Sequence, residues 1–113
     1  MQIVFQSRDP DAAQLRSIAI QRIRFAMRRL SWLVPAAKVQ LSDINGPHGG
    51  VDKRCQLELK TTSTGVVVVT AIARDWSDAL NGALHRALRK LTRGLQRNRQ
   101  QLRVRQTATR SDG

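Results

Sequence analysis

Two eight-residue segments, "KRCQLELK" (53–60) and "VVVVTAIA" (66–73), flank the polar stretch "TTSTG", and they restrict this chain more than any other feature. In the first, Cys55, Leu57 and Leu59 alternate with Arg54, Gln56, Glu58 and Lys60, the period of a half-buried strand. The second is β-branched almost throughout and apolar enough to be expected at the centre of a sheet. A five-residue connector with a terminal glycine reads as a turn, so the pair predicts antiparallel strands.

A third alternating run, "AKVQLSDI" (37–44), places Ala37, Val39 and Leu41 on one face. Between it and the strand at 53 lies "NGPHGGVD", with three glycines and a proline. That stretch lacks the G-x-x-x-x-G-K-[ST] spacing of a phosphate loop and leads into a strand, so no helix N-terminus faces a ligand. It reads as a hairpin tip, able to touch RNA through its backbone amides but not a site of chemistry. His48 within it has no Cys or His at ligand spacing, and Cys55 alternates with core leucines instead of standing free as a nucleophile. Asp43 followed by Glu58-Leu59-Lys60 imitates a nuclease pattern. In a hairpin, however, the two carboxylates stand about 13–16 Å apart, too far to share a magnesium ion. The residues thus imply no catalysis, metal or cofactor.

Upstream, "QIVF" (2–5) reads as a short strand and "RDPDAAQ" as a helix start, with Asp9 as cap and Pro10 in the first turn. Ala12, Leu15, Ala19, Ile23, Ala26 and Leu30 recur at helical spacing and predict one continuous helix closed by Trp32 and Pro35. After the last strand, Asp75 caps a second helix expected to run to about Asn98. The order β-α-β-β-β-α makes the chain α+β, a two-layer sandwich of a four-stranded sheet with two helices packed on one face. Residues 1–98 form one domain and 99–113 a basic tail expected to be mobile.

Charge then dominates the functional reading. Of 113 residues, 20 are basic and 8 acidic, for a net charge of +12. GC-rich coding alone also enriches arginine, so placement is stronger evidence than the count. Residues 1–52 hold seven basic and four acidic side chains, against thirteen and four in 53–113. On a wheel of the second helix, Arg86, Lys90, Arg93 and Arg97 fall within about 60°, with Arg89 beside them. Trp76, Leu80, Ala87, Leu91 and Leu95 centre about 130° away. No acidic residue occurs in 79–111. A row of cations without acidic partners suits a phosphate backbone. Lys53, Arg54, Arg24 and Arg28 are secondary candidates for RNA contact. The apolar side of the helix is a Leu/Ala set facing the core, which argues against a membrane, and a single cysteine fits a reducing cytoplasm.

The element order and the stretch "DWSDALNGALHRALRKLTR" together resemble the ribosome hibernation-promoting factor and ribosome-associated translation inhibitor family in its short form. Asp75, Trp76, Ala79 and Leu80 match the opening of that family's last helix. Arg86, Arg89 and Arg93 match its basic flank around Leu91. The resemblance covers about residues 1–98. It implies a non-enzymatic protein that binds rRNA in the mRNA/tRNA channel of the small ribosomal subunit and inhibits translation in stressed cells. The family's C-terminal dimerisation domain is not expected after residue 98, which implies a monomer. The alternative from the residues alone is a general basic domain binding DNA or double-stranded RNA.

Overall fold

The computed structural model describes residues 1–44 and 52–111. Its elements are β1 (Gln2–Ser7), α1 (Pro10–Ala13), α2 (Arg16–Ala26), β2 (Ala36–Asp43), β3 (Lys53–Lys60), β4 (Val66–Ala73) and α3 (Trp76–Ser111). The four strands form one sheet in the order β1-β2-β3-β4. β1 and β2 are parallel, which requires a crossover, and α1 and α2 supply it. β2, β3 and β4 form an antiparallel meander with Asp43 opposite Lys53 and Lys60 opposite Val66. The expected α+β sandwich is the observed one.

The core lies between the sheet and the helices. Val39 and Leu41 of β2, Cys55, Leu57 and Leu59 of β3, and Val69 and Ala71 of β4 meet Ile23, Leu80, Ala83, Ala87 and Leu91 there. At the end of the β3–β4 turn Gly65 takes φ +75°, a conformation L side chains rarely adopt, and its carbonyl accepts from the Thr61 backbone N–H. Burial pushes the Cys55 thiol up to about 12. At pH 8 that leaves about one thiol in ten thousand ionised, so alkylation of the folded protein should run about a thousandfold slower than after denaturation. Equal rates before and after denaturation would mean that Cys55 is not enclosed.

Three expectations about the crossover and the sheet need correction. The first helix is not continuous: it breaks at Gln14–Leu15, ends at Ala26, and leaves Leu30 in a following turn. Asp9 does not cap it. Its carboxylate accepts instead from the Asp43 backbone N–H at 3.1 Å, tying the helical crossover to the end of β2. Finally, β4 is an edge strand and not a central one. Its second apolar face, Val66, Val68 and Ile72, stands about half exposed on the side of the sheet away from the helices.

α3 is helical through Ser111, past the boundary expected near Asn98. Strands β2 and β3 pair up to the mouth of the glycine-rich hairpin, where the Ile44 N–H donates to the Asp52 carbonyl at 2.7 Å. The hairpin tip itself, residues 45–51 with His48, lies outside the described residues.

Candidate nucleic-acid interface

The placement of α3 begins with its cap. Asp75 accepts from the Asp78 N–H at 2.7 Å, satisfying one of the open donors of the first turn. Trp76, Leu80, Ala87, Leu91 and Leu95 all turn toward the core as the wheel requires, and Ala79, Ala83 and Leu84 join them. At Gly82 the helix comes so close to β4 that an added Cβ would stand 3.1 Å from the Ala71 Cβ. Twelve residues on, Gly94 faces Thr64. The helix therefore runs antiparallel to the edge strand and alongside it.

This alignment sets the basic row. Arg86 donates to the Thr70 carbonyl, and Lys90 donates to the Val68 carbonyl at 3.3 Å. Four helical residues advance about 6 Å, and two strand residues advance about 6.6 Å, so the two ladders stay in step. Thr70 and Val68 lie on the outer edge of the sheet, where no fifth strand accepts or donates among the described residues. Two members of the row thus have a structural partner, and their charge remains at the surface. Arg89 and Arg93 stand beside them, exposed, and the four cations line one groove with Val68, Val69 and Thr70. Arg97 is exposed one turn further on.

The secondary candidates do not join this row. Lys53 is matched by acid: its Nζ lies 2.7 Å from Asp43 and 3.7 Å from Asp52, and 5.0 Å above the Trp76 ring. Its hydrogen bond to Asp43 raises its pKa, so its charge persists to higher pH than a free lysine's. Arg54 points to the other face of the sheet, between Ser42 and Ile72, with its Nε buried and unpartnered among the described residues. Arg24 donates to the Met1 carbonyl, and Arg28 donates to the Phe25 carbonyl with its guanidinium 4.1 Å from the Phe25 ring centre. α2 packs on β1 and against α3, while α3 packs on β4 and β3, so Arg24 and Arg28 lie toward the β1 side of the sheet and the row toward the β4 side, strands that stand about 14 Å apart across three spacings.

Sequence reasoning missed Asp52, which is 2% exposed and helps hold Lys53. Its position directly before a strand facing Asp43 was the available signal. The nuclease-like pair is separated as the hairpin register requires, because Asp43 faces Lys53 whereas Glu58 faces Lys38. Among the described residues no cluster of His, Cys, Asp or Glu could hold a metal, and no helix is long and apolar enough to cross a membrane.

No family model matches this chain, and no curated protein matches its sequence. Its fold is similar to the crystal structure of the N-terminal domain of Thermus thermophilus Protein Y, with a TM-score of 0.61 and 18% identity. The match covers 81% of this chain and 93% of that domain. At this identity the likeness shows a shared fold, a four-stranded mixed sheet covered by helices.

Proposed function

We propose that this chain is a non-enzymatic, cytoplasmic rRNA-binding protein that occupies the mRNA/tRNA channel of the small ribosomal subunit and inhibits translation during hibernation or stress. The observation that carries the reading is the row Arg86, Arg89, Lys90, Arg93 and Arg97, held along the edge of the sheet with no acidic side chain on its helix after Asp78 and before residue 112. The fold it shares with the Protein Y N-terminal domain is the one that the resemblance in the sequence implies, which supports the same reading. Residues 1–98 act as the ribosome-binding domain, 99–113 as a basic extension, and the protein works as a monomer.

Cosedimentation with purified small subunits at rising salt, in the presence of duplex DNA, tests this. A purely electrostatic attachment through six to ten phosphates loses about 10³–10⁵ in affinity between 50 and 200 mM salt. Retention on the subunit at salt that strips the DNA is the expected result. Equal partition between the two, lost together, would make the chain a general nucleic-acid-binding domain.

A further inference from the structure

A second surface, away from the basic row, carries different chemistry. Between α2 and α3 lies an open groove lined by Gln21, Arg22, Phe25, Ala26, Asn81 and Leu84. Phe25 is 67% exposed, the most exposed of the large apolar side chains among the described residues, although α2 has a core-facing side available for an apolar residue. Arg28 fixes the ring from one side, its guanidinium 4.1 Å from the ring centre and its Nη1 bonded to the Phe25 carbonyl at 2.7 Å. Across the groove, Arg22 donates to the Ser77 hydroxyl at 2.7 Å and more weakly to the Asn81 Oδ1 at 3.4 Å, which sets the spacing of the two helices. The Gln21 and Asn81 amides stand exposed at the rim; Gln21 offers both donors and an acceptor, and Asn81 offers its two donors while its Oδ1 accepts from Arg22.

We infer that this groove takes an unpaired nucleobase, stacked on Phe25 and read at its edge by Gln21 and Asn81. A planar ring pre-set by a guanidinium, beside two amides and above the apolar floor of Ala26 and Leu84, fits a flat heterocycle with alternating donors and acceptors. The charges around the groove favour a polyanion as the carrier: from residue 12 to residue 42 the chain has six basic side chains and no acidic one, against Asp75 and Asp78 at the start of α3. The inference deepens the rRNA reading, and rests on it only in taking RNA as the polymer. Phosphates of structured RNA engage the α3 row, and an extruded or single-stranded base engages α2.

The test compares equilibrium binding of oligouridine with that of an RNA duplex carrying the same number of phosphates, with single-stranded DNA of equal length as a third arm. Phe25→Ala should weaken oligouridine binding about tenfold and leave duplex binding unchanged, while Phe25→Trp should retain both. Asn81→Ala should reduce discrimination among oligouridine, oligocytidine and oligoadenosine. Equal loss on single strand and duplex, or no loss on either, would overturn the stacking site. Binding of the DNA strand as tightly as the RNA keeps the base site and removes RNA as its selected polymer. The Phe25 variants retain the α3 row, so subunit cosedimentation reports separately on the parent reading.

Discussion

An Arg89→Glu, Arg93→Glu variant is expected to lose small-subunit binding by at least about a hundredfold near 0.1 M salt, and to be no less stable than the parent protein. Each phosphate contact contributes about 0.9 to the slope of log affinity against log salt, or about eightfold at that concentration. Removing two contacts lowers affinity about sixtyfold, and the two new negative charges add repulsion. The stability effect runs the other way. Arg86, Lys90, Arg93 and Arg97 crowd like charges at helical spacings, whereas Arg93→Glu sets a carboxylate four residues before Arg97, in the favourable orientation. A gain of a few tenths of a kcal/mol is the expected sign. Binding and melting temperature moving in opposite directions would separate an interface from a fold defect. Unchanged binding would remove α3 from the interface.

Arg89 and Arg93 are the right pair because the other two cations are not free of structural work. Arg86 and Lys90 hold the carbonyls of Thr70 and Val68, so their removal alters the sheet edge as well as the charge. That distinction is not legible in the sequence. The wheel places all four on one flank, since helical period depends only on spacing. Which of them reach a neighbouring strand depends on strand order, and strand order depends on the crossover that sets β1 beside β2.

The same contrast runs through the fold. β3 and β4 are readable to the residue because period-two alternation and the TTSTG turn are local signals. Composition marks β4 as a strand but cannot show that it forms an edge, since Val66, Val68 and Ile72 look the same in sequence whether covered or exposed. The helical crossover misleads for a tertiary reason. Spacings of three and four residues at Ala12, Leu15 and Ala19 fit one continuous helix as well as two short ones, and no glycine or second proline marks the break. The expected cap, Asp9, is committed to Asp43, thirty-four residues away. Lys53, a candidate by charge alone, is claimed by Asp43 and Asp52 through the hairpin register.

The edge of β4 yields the second large effect. An Arg86→Ser, Lys90→Ser variant should self-associate as its concentration rises, under conditions where the parent protein does not. An uncovered edge strand presents free carbonyls and N–H groups to any extended chain, and charged side chains lying over it are a means of preventing that. Here the exposed segment is Val66–Ala73, which is β-branched, uncharged and free of proline, the composition that pairs most readily. Loss of charge alone does not explain such an outcome, because the net charge falls only from +12 to +10. The matched control is Arg89→Ser, Arg93→Ser, which also carries +10 but leaves both carbonyls covered. Sedimentation velocity over a concentration series should show larger species for the first variant only. Adding Val68→Lys should return it to the parent's behaviour by placing a charge on the open strand. If both double variants sediment alike, Arg86 and Lys90 do not guard the edge, and their carbonyl bonds only anchor the helix. If only the edge variant associates, the basic row has two functions that can be dissected: Arg86 and Lys90 keep the sheet closed, and Arg89 and Arg93 are left free to meet the phosphates.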